Sequence, residues 1–206
     1  ASPMPRLASQ PEIQFGEKII IGYIGQISQF KGVELLLEAL RFLPEKCMLR
    51  LVGRQYSKED SNHDWFQNYL RDPQLSDRIE VKDPVLINEV ADVIDGCDIV
   101  VQPASSDILN SKFEAPLKSF DYMVRGKPIV VADVPCHHEL YKDGVNGLFY
   151  SLNPSDLAEK INKLCNNPNL AQYLAKSAWE GSASYSYLQR ASDILRLTGR
   201  YPDYNH

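Results

Sequence analysis

The feature that most constrains the fold is a short apolar run followed at once by a helical pattern. Residues 19–25 are almost entirely apolar, β-branched or aromatic, which is typical of a strand buried on both faces. Val33, Leu36, Leu37 and Leu40 then recur at helical spacing. This region therefore predicts a strand, a turn and a helix, in that order.

The same unit recurs along the chain, although its sequence does not repeat. Further strands are predicted at residues 48–53, 78–82, 98–102, 128–132 and 147–150, and further helices at 64–70, 90–97, 116–126, 154–164, 170–179 and 187–197. Strands that alternate with helices through short loops form parallel sheets by right-handed crossovers. The fold class predicted is α/β, a doubly wound (Rossmann-like) parallel sheet of about six strands with helices on both faces. Ligands of such sheets bind at the carboxyl ends of the strands.

Composition excludes several classes of protein. The 22 Lys and Arg against 27 Asp and Glu give a net charge of −5, which does not supply the basic field of a nucleic-acid-binding protein. No apolar run approaches the roughly 20 residues of a membrane span, and the first residues lack the pattern of a secretory signal. Four cysteines without close spacing indicate reduced, buried thiols and hence a cytoplasmic protein.

The first 18 residues differ from the rest. They carry three prolines among Ser, Ala and Gln without an apolar period, which predicts a linker or leader segment outside the core. Since the chain begins at Ala1, we interpret residues 1–18 as a linker from a missing N-terminal domain and residues 19–206 as one domain.

A candidate anion site lies in the loop between the first strand and the first helix. Gly25 allows close approach of the backbone to a ligand, and Lys31 adds a full charge just before Gly32 and the helix start. The spacing matches neither the dinucleotide-binding fingerprint nor the P-loop. A tight turn with a solvated lysine is an equally good interpretation of these residues.

A second candidate site surrounds Pro116, where a helix is predicted to begin. Glu114 lies just before this helix and Asp121 lies one turn inside it. Both carboxylates can therefore accept hydrogen bonds from the hydroxyls of a sugar or ribose. The amides of Leu117 and Lys118 can hold an anion. Ordinary enrichment of acids at helix starts is the simpler alternative.

A metal site is not favoured by the sequence. His137 and His138 are adjacent, so their side chains are expected to point apart, and no Asp-x-Asp pair occurs to hold a divalent cation. No Gly-x-Ser-x-Gly motif is present for a hydrolase nucleophile either.

Together these stretches resemble the C-terminal, donor-binding domain of the retaining GT-B glycosyltransferases of the group 1 (family 4) class. The resemblance covers roughly residues 19–197, and its weight lies in the order of its motifs. These are residues 21–25 with 31–33, residues 51–53, residues 97–103, residues 116–123 with 126–130, residues 139–140 and residues 143–148.

The resemblance implies roles for individual residues of the donor site. Lys31 would bind the diphosphate of a nucleotide sugar and is assigned as catalytic; Gln26 stands where the family usually has an arginine. Asp121 would hold the ribose hydroxyls. The first acid of the family's pair aligns with Phe113, so the neighbouring Glu114 is the candidate catalytic carboxylate. The remaining predicted contacts are the phosphate-binding backbone around Gly25, Gly32, Ala115, Leu117 and Lys118, and the base-binding residues Pro84 and Val85.

The implied reaction is transfer of a hexose from a UDP- or GDP-linked donor with retention at the anomeric carbon, without a metal cofactor. The implied role is in polysaccharide biosynthesis. The acceptor would bind to a missing N-terminal domain, which would also supply any membrane association, so this chain is expected to bind donor without turnover. Two alternatives stay open: a nucleotide-sugar epimerase of the same architecture, and a doubly wound interaction domain without a ligand.

Overall fold

A computed structural model describes residues 4–55, 63–105 and 116–198 and contains a six-stranded parallel sheet. The strands are β1 (Ile19–Ile24), β2 (Cys47–Val52), β3 (Ile79–Lys82), β4 (Ile99–Gln102), β5 (Ile129–Ala132) and β6 (Leu148–Tyr150). Their order in the sheet is β3-β2-β1-β4-β5-β6, and every pair is parallel. The predicted fold class is confirmed, and each strand lies within one residue of its predicted bounds.

The described helices also follow the predicted periodicity. They are α1 (Val33–Ala39), α2 (His63–Arg71), α3 (Val90–Asp95), α4 (Leu117–Val124), α5 (Pro154–Cys165), α6 (Pro168–Gly181) and α7 (Tyr187–Leu197). Several helix boundaries differ from the predicted ones by one or two residues. Helix α6 starts before the predicted residue 170 because the Asn167 side chain accepts a hydrogen bond from the amide of Leu170 at 3.0 Å and so caps it. Pro116 precedes the first helical residue of α4 instead of being part of the helix.

The strands β4 and β5 are buried on both faces, as their continuous apolar sequences require, whereas the edge strand β3 is half-buried or exposed. Along β4, Ile99 and Val101 belong to one buried cluster, whereas Val100 between them belongs to a second cluster. This alternation is the period of two along a strand. Helices α1 and α5 contribute to the first cluster, and α3 and α4 contribute to the second.

The chain order places one switch point between β1 and β4. The chain first proceeds outward from β1 through β2 to β3 and then returns to the other side of β1 with β4. The loops after these two strands therefore diverge to opposite faces and leave a crevice at the carboxyl edge of the sheet, where ligands of open α/β sheets bind.

The described part of the N-terminal segment has no helix or strand but packs against the domain. Met4 is buried in the second cluster, and the guanidinium of Arg6 lies 3.5 Å from the centre of the Trp179 ring. The amide of Ile13 donates a hydrogen bond to the side chain of Gln172 at 2.7 Å. Residues 4–18 thus pack alongside α6. The expectation that this segment stays outside the core is wrong for Met4. That the segment leads from a missing domain stays a prediction.

The cysteines are buried and free, as predicted. Burial raises the pKa of the Cys97 thiol to about 11, although the positive charges of Arg50 and Lys127 oppose that rise. Among the described residues, no helix has the length and hydropathy needed to cross a bilayer.

Candidate functional site

Beside this crevice, at the same edge of the sheet, the glycines that end β1 and β2 are in close contact. A Cβ atom on Gly53 would lie 2.0 Å from the carbonyl oxygen of Gly25, and Gly53 has a φ of +150°. The amide of Gly25 donates to the carbonyl of Val52 at 2.9 Å, and that of Gly53 donates to the carbonyl of Lys82 at 3.1 Å. Only glycine permits this approach, so the two strand ends are held together, and both glycines line the adjacent cavity.

Four predicted site residues line one cavity next to this contact. Its volume is ≈ 260 Å³, and it is bounded by the ends of β1 and β2 and by the loop after β3. The lining consists of Ile24, Gly25, Gln26, Val52, Gly53, Arg54, Pro84, Val85 and Val90. Apolar walls with backbone groups at the strand ends suit a flat, partly polar ring system.

Lys118 lies at the same place, although it belongs to the first turn of α4. Its ammonium is 3.1 Å from the Tyr23 hydroxyl and 4.2 Å from the centre of that ring. A Cβ atom on Gly25 would be only 2.7 Å from the Lys118 nitrogen. The structure therefore brings Gly25, Gln26 and Lys118 together, and the sequence reasoning had considered only the backbone of Lys118.

Two tyrosines attach α4 and the first loop to β1. The buried Tyr23 donates its hydroxyl proton to the carbonyl of Gln26 at 2.8 Å. The buried Tyr122 hydroxyl accepts a hydrogen bond from the amide of Ile24 at 3.2 Å, and burial raises its pKa well above the usual value. Sequence reasoning missed both residues; the available signal was a phenol inside an otherwise apolar strand or helix face.

The first loop forms a single 3-10 turn, Gln29–Lys31, before α1. Gly32 then adopts a left-handed conformation with a φ of +71°, and a Cβ atom there would lie 2.3 Å from the carbonyl oxygen of Ala104. The loop is thus pressed against the chain that follows β4. Lys31 is half-buried beside this contact, whereas Gln29 and Phe30 are exposed.

Helix α4 contributes the remaining described candidates. Leu117 is 53% exposed at its first position, and the half-buried Asp121 lies one turn further on. The first amides of a helix have no acceptor within the helix, which keeps the backbone of Leu117 and Lys118 a candidate anion site. Glu114 and Ala115 lie outside the described residues.

Two buried polar side chains at this edge were not singled out from the sequence. Gln102 ends β4 and is 4% exposed, and Ser28 precedes the 3-10 turn and is 1% exposed. Neither the Gln102 side-chain oxygen nor the Ser28 hydroxyl has a hydrogen-bond partner within the described part of the chain. Such atoms are costly in a core and concentrate at functional sites.

The adjacent histidines have different surroundings. The buried His137 makes a 2.8 Å hydrogen bond to the carbonyl of Ala132, and the exposed His138 contacts Asp133 at 2.7 Å. Within residues 4–55, 63–105 and 116–198, no three His, Cys, Asp or Glu side chains gather as a metal site.

Comparison with known proteins gives the fold and the family. Residues 7–180 match the model of the family described as glycosyl transferases group 1. An uncharacterized glycosyltransferase of Methanocaldococcus jannaschii is 28% identical over 166 residues, which are 80% of this chain and 43% of that protein. The chain spans less than half the length of the curated relatives that it matches.

Solved structures share the architecture at low identity. The crystal structure of Anabaena HepE in complex with UDP has a TM-score of 0.79 at 20% identity, covering 90% of this chain and 50% of that one. The C-terminal domain of a group 1 glycosyl transferase of Francisella tularensis has a TM-score of 0.67 at 18% identity, covering 81% and 85%. Because the family model matches most of its residues, we conclude that this chain belongs to the group 1 glycosyl transferases.

Proposed function

We propose that this chain is the donor-binding half of a glycosyltransferase that transfers a hexose from a nucleotide diphosphate sugar with retention. The observation that carries the proposal is the cavity at the carboxyl ends of β1 and β2, which Gly25, Gln26, Pro84 and Val85 line together. It lies next to the switch point of the sheet, where ligands of open α/β sheets bind.

We assign each part of the donor to the residues whose chemistry suits it. The nucleobase enters the cavity between the strand ends and the loop at Pro84 and Val85. The ribose hydroxyls bind Asp121, and the diphosphate binds Lys31 and the first amides of α4. Since the leaving group departs as a nucleoside diphosphate, the main requirement is to stabilise negative charge as it develops. The proposal assigns that task to cationic and backbone groups, because the sequence has no Asp-x-Asp pair.

UDP is the first nucleotide to test, and GDP is the second. Anabaena HepE has been crystallised with UDP and with UDP-glucose, which supports a uridine donor here. The acceptor is proposed to bind a further domain, because this chain covers only 43% and 45% of the length of two curated relatives. A cytoplasmic location and any membrane association through that domain belong to the same proposal.

The test is isothermal titration of the chain with UDP, UMP, uridine, GDP and guanosine. We expect a nucleoside diphosphate to bind more tightly than its nucleoside, because each phosphate adds charge-assisted hydrogen bonds. Equal affinity for nucleoside and diphosphate with both bases would overturn the diphosphate assignment. A complete absence of binding would favour the interaction domain. That alternative expects a buried first loop, whereas Gln26, Gln29 and Phe30 of this loop are exposed.

Retention and transfer are tested with a longer protein that includes the acceptor domain. Proton NMR of the product reports its anomeric configuration directly, and we expect this configuration to be the same as in the donor. Formation of a 2-epimer of the sugar nucleotide without an acceptor would support the epimerase instead.

A further inference from the structure

The side chain of Lys118 occupies a position that its place in the sequence does not suggest. It leaves the first turn of α4 and ends at the carboxyl end of β1, 3.1 Å from the Tyr23 hydroxyl. Gly25 lies directly beneath it, since a Cβ atom there would be 2.7 Å from the ammonium nitrogen. The missing side chain of Gly25 therefore makes room for this cation.

Tyr23 contacts the ammonium with both its hydroxyl and its ring. Its hydroxyl donates to the carbonyl of Gln26 at 2.8 Å, which turns an oxygen lone pair toward the Lys118 ammonium. Its ring contributes a cation–π contact of 4.2 Å. Since Tyr23 is fully buried in β1, the ammonium is positioned by a rigid element. This arrangement limits the reorganisation needed when an anion arrives.

The position also joins the two parts of the proposed donor site. Gly25 and Gln26 line the cavity proposed for the base, and Lys118 belongs to the helix turn proposed to bind phosphate. A diphosphate that leads from that cavity toward α4 must pass the carboxyl end of β1. Gln26 is exposed there and carries no charge, so a cation at this point has to come from another side chain.

We propose that the Lys118 ammonium binds the diphosphate of the donor directly and stabilises its charge as the sugar departs. The inference rests on the proposed function but assigns a residue and an atom to it. Lys118 then acts through its side chain as well as through its backbone amide, and Tyr23 is its positioning residue.

The test compares UDP with uridine in titrations of Lys118→Met and Lys118→Arg. Loss of a charge-assisted contact is expected to weaken UDP binding about 10-fold to 150-fold in the Met variant. Uridine affinity is expected to stay within about 2-fold, and the Arg variant to retain part of the preference for UDP. Gln26→Arg in the Met background places a cation at the same strand end and is expected to restore part of the affinity.

The control is Lys163→Met, which removes one positive charge from the exposed surface of α5, in its last turn. We expect it to leave both affinities unchanged. Circular dichroism and thermal unfolding verify that each variant folds. If Lys118→Met does not fold, Lys118→Gln and Tyr23→Phe are measured in its place, and each is expected to lower the preference for UDP over uridine.

The outcomes separate this inference from the proposed function. If the wild-type chain binds UDP and GDP no better than their nucleosides, the proposed function fails and the role of Lys118 fails with it. If the wild type prefers the diphosphate and Lys118→Met keeps that preference, only the role of Lys118 is overturned. An equal loss of uridine and UDP affinity in Lys118→Met would show a purely structural role and would also overturn it.

Discussion

The contact between Gly25 and Gly53 predicts a large and specific effect of one added methyl group. In Gly53→Ala, the Cβ atom would lie 2.0 Å from the Gly25 carbonyl oxygen and 2.7 Å from its carbonyl carbon. Both are backbone atoms, so no side-chain rotation relieves the overlap. The ends of β1 and β2 must separate, which strains or breaks the bonds from Gly25 to Val52 and from Gly53 to Lys82.

The expected loss of stability has two causes, backbone strain and weakened hydrogen bonds. A residue with a side chain at a φ of +150° costs about 1 to 3 kcal/mol in backbone strain. Two weakened hydrogen bonds add about 1 kcal/mol each. We therefore expect Gly53→Ala to lower the free energy of unfolding by about 3 to 5 kcal/mol, a large part of the about 5 to 15 kcal/mol of an ordinary domain.

Gly144→Ala is the matched control. Gly144 also has a positive φ, +68°, but a Cβ atom there would meet nothing within 4 Å, so only strain of about 1 kcal/mol is expected. Urea denaturation followed by tryptophan fluorescence and circular dichroism measures both variants. If Gly53→Ala costs no more than Gly144→Ala, to within about 0.5 kcal/mol, the close contact of the strand ends does not exist as described.

Three further predictions concern binding, pH and helix capping. Lys31→Ala is expected to weaken UDP binding by about 1.5 to 3 kcal/mol in calorimetry, and an equal loss for uridine would contradict a phosphate contact. Burial raises the pKa of three fully buried tyrosines, so stability is expected to be lost above about pH 10, where the unfolded phenols ionise, by about 1.4 kcal/mol per pH unit each. These tyrosines are Tyr122, Tyr141 and Tyr150. Urea titrations at about pH 9 and about pH 11 measure this loss, and an unchanged unfolding midpoint would refute it. Asn153→Ala removes the cap that accepts from the amide of Ser155 at 2.8 Å, which should cost about 1 kcal/mol in the same assay, whereas Asn153→Asp should cost little.

Much of the fold could be predicted because its signals are local. The apolar runs of β1 and β4 and the helical stripe of α1 are visible within short windows of sequence. The first loop and the loop at Pro84 follow from the rule that parallel strands place their ligands at one edge. The cavity brings Gly25, Gln26, Pro84 and Val85 together, which is what this rule leads one to expect.

The contacts around Lys118 could not be predicted in the same way. The residue is 95 positions from Tyr23, and whether its side chain turns toward β1 depends on how α4 packs after the switch point. The same holds for Met4, whose burial depends on the surface that α4 and α6 present together. A single lysine and a single methionine carry no periodic signal of such contacts.

Sequence alone determined that this chain alternates strands and helices, that the strands are parallel and that the ligand edge follows their carboxyl ends. It could do so because hydrophobic periodicity and turn residues act over a few positions. The tertiary structure decided that Gly25 and Gly53 touch, that Tyr122 attaches α4 to β1 and that the Lys118 ammonium lies over Gly25. Those facts depend on strand order and helix packing between distant segments, where several arrangements satisfy the same local pattern and only the packed sheet selects one.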